Sequence, residues 1–271
     1  MKISHLKLVT LSLTLLGVSG AVALFAKSNV DVSPSGMVLV EGGEYRPLYM
    51  SKDSPIQSVD DFYLDQYPVT NQDFEEFVKE NPGWAKQQAP KVFVEKQYLQ
   101  HWEDGRGYPA ELAKSPVTNV SWFAADAYCQ AQGKRLPRVG EWELAALASE
   151  SLADGSVEKD YKQKILMWYS RPSQKKLSAV GQNEPNYWGI YDMHGLIWEW
   201  TEDFNSALVT GESRGDSTID TKLFCAGGAS GAVDPGDYAA FMRYGFRSSL
   251  EAKFTLPNLG FRCAQDTEQD Q

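Results

Sequence analysis

Residues 190–200 read IYDMHGLIWEW. Asp192 and Glu199 lie seven residues apart and bracket Gly195. A short loop with a carboxylate at each end and a glycine between supplies carboxylate and carbonyl oxygens together. A hard cation such as Ca²⁺ takes that mixture, about six to eight oxygens in all. Trp198, Glu199 and Trp200 alternate, so on a strand both rings share one face and the acid takes the other. The same residues also read as an amphipathic strand after a turn, with Asp192 as an ordinary turn residue. Spacing alone leaves both readings open.

Outward from this stretch, composition sets the frame. A chain of 271 residues makes one large domain or two small ones. Hydrophobic residues at 42%, with 12% aromatic, suffice for a sizeable core. Eight Trp and 13 Tyr beside 22 Gly and 13 Pro point to an irregular, turn-rich fold. The net charge is −10 and the isoelectric point about 4.9. That argues against nucleic acid, whose phosphates need a basic surface.

The first 26 residues differ in kind. Lys2, His5 and Lys7 give a positive start, residues 8–26 carry no charge, and Ala21-Val22-Ala23 offers a small-x-small cleavage site. Residues 1–26 therefore read as a secretory signal peptide or an N-terminal anchor. Residues 27–35 form a polar linker, 36–266 the folded domain and 267–271 a polar tail. The expected location is periplasmic or otherwise exported, with membrane contact only if residues 8–26 are retained. In that setting two of the three cysteines, Cys129, Cys225 and Cys263, pair. Three bridges are open, and one thiol is left over.

Residues 37–49 read as a strand, a turn at Gly42-Gly43 and extended chain, and residues 62–65 as a second strand. Thr70 or Asn71 caps a helix whose apolar face is Phe74, Phe77 and Val78, stopped by Pro82-Gly83. Residues 84–114 are loop-like. Ser121 caps a second helix carrying Ala125, Tyr128 and Cys129, closed by Gly133. Residues 140–150 form a third, Ala-rich helix with Trp142. Residues 151–176 read as a polar excursion and 205–221 as a loop. In the last block, 224–264, Gly227-Gly228 reads as a close-approach segment before a strand. Arg247 and Arg262 are each suited to clamping a carboxylate, in a site or in a structural ion pair. His101 and His194 stand in no Gly-x-Ser-x-Gly or HExxH context, and no phosphate loop is present. Classical hydrolysis is set aside on that ground.

These pieces fall into six motifs in a fixed order. They are Met37-Val38 to Glu44, Tyr67 to Asn71, Pro116 to Trp122, Tyr128-Cys129 with Gly133 to Pro137 and Glu141-Trp142-Glu143, Gly189 to Trp200, and Asn258 to Arg262. Together they resemble the formylglycine-generating enzymes, also called sulfatase-modifying factors. The resemblance covers about residues 36–265. It implies an α+β class: a single compact irregular domain of C-type-lectin-like type, low in regular secondary structure. It implies a structural Ca²⁺ held by the side chains of Asp192 and Glu199 and the carbonyls of Gly195 and Ile197. Leu196 departs from the asparagine usual in the family, and residues 151–182 give no clear match to a second calcium site. The resemblance also implies a Cys129–Cys263 disulfide.

One departure bears on chemistry. The family oxidises a substrate cysteine with oxygen and copper, using two cysteines shortly after its Gly-Gly-Ser motif, and Cu(I) prefers such thiolates. Between Gly228 and Arg247 this chain reads ASGAVDPGDYAAFMRYGF, without cysteine, and Cys225 is the only thiol nearby. No copper site is expected. The resemblance then implies an exported factor that helps mature another exported protein or peptide. Relatives of that kind act in oxidative tailoring, as in pyoverdine maturation, or as accessory factors beside copper nitrite reductases. The alternatives are a non-catalytic peptide-binding or assembly module on the same fold and a genuine formylglycine-generating enzyme. Ser230 and Arg247 are the expected groove residues. Asp234, Asp237 and Glu251 bring carboxylates near the lost thiols; Glu251 is the acid/base candidate, with a solvated loop glutamate as the plainer reading.

Overall fold

Met37–Val40 (β1) is an apolar run with Val38 and Val40 fully buried. It pairs antiparallel with Phe62–Asp65 (β4), Met37 opposite Asp65 and Val40 opposite Phe62. The far edge of β4 takes Ala264–Asp266 (β7), so the central sheet runs β1-β4-β7. Between β1 and β4, Gly43–Tyr45 (β2) pairs with Gln57–Val59 (β3). The expected turn at Gly42 is real and needs glycine: a Cβ there would overlap the Val59 carbonyl, and its N–H donates to Asp61 Oδ1 at 2.6 Å. The computed structural model describes residues 36–45, 56–103, 107–170, 176–205 and 235–267. The leader and linker, Cys225, Gly227-Gly228, Ser230, Asp234 and most of the polar tail lie outside them. Among the described residues no helix is long and apolar enough to cross a membrane.

The first three helices begin where their caps place them. Asn71–Glu80 (α1) opens on a capping box: Asp73 N–H donates to Thr70 Oγ at 3.2 Å, and Thr70 N–H to Asp73 Oδ2 at 3.0 Å. Trp122–Ala131 (α2) is capped by Ser121, whose Oγ accepts from Ala124 N–H at 3.2 Å. Gly133, at φ +68°, turns the chain just after it. Val139–Leu147 (α3) opens on the Glu141 carboxylate, which accepts from Arg138 N–H at 2.7 Å.

Two helices were not foreseen. Tyr161–Tyr169 (α4) lies within the stretch expected to be a polar excursion, and Pro235–Ser248 (α5) within the glycine-led last block. Both patterns are helical in hindsight. Tyr161, Ile165, Trp168 and Tyr169 recur at helical spacing, and Pro235 is a good first residue for a helix. The two pack on each other around Tyr161, Ile165 and Ala239.

Two larger clusters make the core. One joins α1 and α2 to the closing segment through Phe74, Phe77, Val117, Leu136, Trp200, Leu259 and Phe261. The other lies between β1–β4 and α3, with Val38, Phe62, Leu64, Trp142 and Ile190. Trp198–Glu199 (β5) is a short strand, as the alternation of Trp198, Glu199 and Trp200 suggests, and it pairs in parallel with Leu259–Gly260 (β6). Gly260 sits so close to the Val117 carbonyl that any Cβ would collide with it. Cys129 and Cys263 form a disulfide with a sequence separation of 134. It joins the last turn of α2 to the start of β7.

Candidate functional site

The 190–200 loop is fastened to α3 from its first residue. Asn186 Oδ1 accepts from Trp188 N–H at 3.1 Å and Ile190 N–H at 3.0 Å, while its Nδ2 donates to Ala145 O at 2.9 Å. The loop then turns twice through left-handed backbone, at Asp192 (φ +57°) and Gly195 (φ +87°). Gly195 is obligatory in a second sense, because a Cβ there would press on the Trp168 ring at 3.0 Å. Asp192 spends both oxygens on the neighbouring loop: Oδ2 accepts from Gly181 N–H at 2.6 Å and Oδ1 from Asn183 Nδ2 at 3.0 Å.

Glu199 is engaged differently. Arg262 grips it with Nε on Oε2 and Nη2 on Oε1, both at 2.8 Å, and Trp142 Nε1 adds a third donor to Oε2 at 2.8 Å. Neither charged side chain is exposed at all. Arg262 also donates to the carbonyls of Tyr191 (2.9 Å) and Asp65 (3.1 Å), tying the loop to the sheet. These contacts are the fit test for calcium. A Ca²⁺ ligand must offer free lone pairs and uncancelled charge. Glu199 offers little of either: three donors take most of its lone pairs and a guanidinium neutralises its charge. The set of Asp192, Gly195, Ile197 and Glu199 therefore does not fit Ca²⁺ as expected. One carboxylate plus carbonyls remain, and among the described residues no group of three His, Cys, Asp or Glu is placed to hold a metal ion.

Beside the loop, α4 and α5 complete a cavity of about 150 Å³. Trp168, Trp198 and Phe246 supply aromatic walls, and Trp198 stacks on Phe246 with centroids 4.3 Å apart. Behind them Glu143 lies between two arginines. Arg243 holds it through Nε (3.0 Å) and Nη2 (2.7 Å), and Arg247 through Nη1 (2.6 Å). Both arginines are buried and Glu143 is nearly so, and both guanidiniums lie over the Trp142 ring at 5.7 and 4.8 Å. Burial alone would raise the Glu143 carboxyl, but Arg243 and Arg247 outweigh it and hold it at about 2. Burial raises the Tyr169 phenol, with Arg243 acting against it. A second cavity of about 180 Å³ lies across Trp168 and is lined by Asp192, Asn183 and His194. His194 Nε2 donates to Ala146 O at 2.9 Å, and its buried Nδ1 has no partner. Burial, with Arg243 adding to it, pushes that imidazole down to about 4.

The structure thus gathers Gly195, Ile197, Glu199 and Arg247 on one cavity and places Asp192 on the next. Arg247 is committed to Glu143 within it. Glu251 is not gathered in. Its side chain is 61% exposed, pairs with Lys253 at 3.3 Å and lines neither cavity. An exposed side chain in an ion pair is what the solvated-loop reading describes. Ser230 lies outside the described residues. Glu143, Trp168, Tyr169 and Phe246 were not foreseen as site residues. The signals that would have found them are the helical spacing of α4 and the four-residue step from Arg243 to Arg247 on one helix face.

Residues 22–267 match the family model for the sulfatase-modifying factor enzyme 1-like domain. The chain is 30% identical over 277 residues to the inactive C-alpha-formylglycine-generating enzyme 2 of Bos taurus, covering 84% of this chain and 87% of that protein. It is 30% identical over 188 residues to the formylglycine-generating enzyme of Streptomyces coelicolor, covering 62% and 59%. A match to the serine/threonine-protein kinase pkn1 of Chlamydia pneumoniae, at 26% identity, takes in 62% of this chain but only 28% of that protein. Among solved structures, CarF aligns at 17% identity and TM-score 0.49 over 86% of this chain and 98% of its own. PvdO from Pseudomonas aeruginosa aligns at 17% and 0.46, over 85% and 94%. The six motifs read from the sequence all fall inside the matched span, and the chain belongs to the sulfatase-modifying factor enzyme 1-like family.

Proposed function

We propose that this protein helps mature another exported protein by holding a peptide segment of it, without thiol and copper chemistry. The observation that carries this reading is the Cys129–Cys263 disulfide. The chain has three cysteines, so the bridge leaves Cys225 as its only thiol. One thiolate does not make a two-thiolate Cu(I) site. The similarity to a relative named as inactive supports the same reading. The exposed, ion-paired state of Glu251 favours holding over acid/base work by that residue. Export rests on residues 1–26 of the sequence.

The test is mass spectrometry of a Cys-x-Pro-x-Arg peptide incubated with the protein, copper and oxygen. The cysteine is expected to remain unchanged, and aldehyde beyond a trace overturns the reading. The companion experiment deletes the gene and follows exported proteins. A defect confined to cytoplasmic processes defeats the maturation role.

A further inference from the structure

The first cavity is bounded by parts of the chain far apart in sequence: the 190–200 loop, α4, α5, Leu177 and Asn258. Close packing leaves few hollows larger than a water molecule, so one of about 150 Å³ is unusual. The charged groups on its lining are taken by protein partners. Arg262 and Trp142 hold Glu199, Glu143 holds Arg243 and Arg247, and Arg243 also bonds the Tyr169 side chain. An entering group meets the rings of Trp168, Trp198 and Phe246, the aliphatic Leu177 and Leu196, and the neutral Asn258 amide. Gly195 is exposed, and Leu177, Leu196, Phe246 and Asn258 are half-buried, so the hollow opens to solvent on that side.

Its walls are held in place by the fold. Trp198 stacks on Phe246 at 4.3 Å, and Trp168 stacks on His194 at 5.5 Å and lies against Gly195. Leu177 is anchored through its carbonyl, which accepts from Ser115 Oγ at 2.9 Å. Fixed walls leave little to order when a ligand enters. An apolar cavity of roughly 150 Å³ is of the size that takes one benzene ring. We propose that this cavity is a side-chain pocket for a single phenyl ring, that of a phenylalanine in the held peptide. Aromatic walls favour a ring over an aliphatic group, through offset and edge-on contacts beyond the area buried. Volume sets the upper limit, because an indole overfills the space. Asn258 carries both a donor and an acceptor for a peptide unit beside the ring. The proposal rests on the peptide-holding reading and names the side chain by which the peptide is held.

The test uses capped glycine peptides with phenylalanine, leucine, tryptophan or alanine at the centre, and toluene as the free ring. Binding to the full chain is read by isothermal titration and by saturation-transfer NMR, which registers weak complexes. The phenylalanine peptide is expected to bind at least about tenfold tighter than the alanine peptide, the low end of what burying a phenyl group yields. Leucine is expected to fall between them, and tryptophan below phenylalanine. Leu177→Trp fills the cavity and is expected to abolish the preference for phenylalanine. Leu177→Ala widens it and is expected to bring the tryptophan peptide level with phenylalanine or ahead of it, a gain that a misfolded variant does not produce. Binding by none of the peptides, an order of affinity unchanged in Leu177→Ala, or toluene binding as tightly as the phenylalanine peptide each overturns the proposal. Peptides that bind equally whatever their central residue also overturn it, while leaving the peptide-holding reading in place. None of these outcomes touches the aldehyde assay, so the broader reading stands or falls separately.

Discussion

The residue that fixes most of the site is Arg262. It is fully buried, holds both oxygens of Glu199 and reaches the carbonyls of Tyr191, Asp65 and Gln66. Removing one partner of such a pair strands a charge in the interior, at a cost of roughly 3–5 kcal/mol. Arg262→Ala is therefore expected to lose about that much stability in urea unfolding, while Arg262→Met with Glu199→Leu recovers most of it. A loss below about 1 kcal/mol, the range of exposed pairs, would show that the pair is solvated. The histidines give a pH signature. Burial holds both His194 and His101 at about 4, against an ordinary 6.5. Between those values the unfolded chain binds protons that the folded chain refuses. Stability is thus fully present above the unfolded value and falls as pH drops through the window. At about 1.4 kcal/mol per unit, His194 accounts for something on the order of 3 kcal/mol. His194→Gln should flatten the fall in the urea midpoint between about pH 7 and about pH 5; an unchanged slope would contradict the buried, neutral imidazole.

At the scale of elements, what the sequence made legible was whatever is decided locally. Thr70, Ser121 and Gly133 announce their helix ends because a cap is a contact within a few residues. Thr70→Ala should cost about 1 kcal/mol, measured as a shift in the unfolding midpoint, since it removes an acceptor from the first turn of α1. No shift would mean that Asp73 alone holds that end. The β5 alternation was legible for the same reason. Less legible were α4, whose apolar positions are separated by lysines and glutamine, and α5, which carries Gly236 and Gly245 within its helix. The site itself was half visible. Arg247 and Arg262 stood out as carboxylate clamps, but their partners lie 104 and 63 residues away, and no local signal names Glu143 or Glu199. For the same reason the sequence does not show that a guanidinium lies beside Glu199, the residue it offered as a calcium ligand.

At the scale of the whole molecule, two reagents probe the closure of the fold. The disulfide spans 134 residues and, on chain-entropy grounds, contributes roughly 5 kcal/mol. Reduction with a thiol should lower the melting temperature by roughly 10 °C or more, given about 2–4 °C per kcal/mol at this size. A melting curve indifferent to reductant would mean that the two cysteines are not joined in solution. Calcium should act in the opposite way, by doing little. With Glu199 neutralised, the remaining ligand charge places any affinity at the weak, millimolar end of the Ca²⁺ range. Chelator and micromolar calcium are expected to give the same melting temperature, and a clear rise with micromolar calcium would restore the expected ligand set.

The placement of the last described segment sets the order in which the molecule can be finished. Residues 258–266 bring β6, Phe261, Arg262, Cys263 and β7, and each belongs to a structure begun far upstream. Synthesis runs from the amino end, so β4 waits for an edge partner, Glu199 for its counter-charge and Cys129 for its sulfur until that segment emerges. Contacts of such long range make for slow, late consolidation. A chain built this way stays unfinished while most of its folded part is already made.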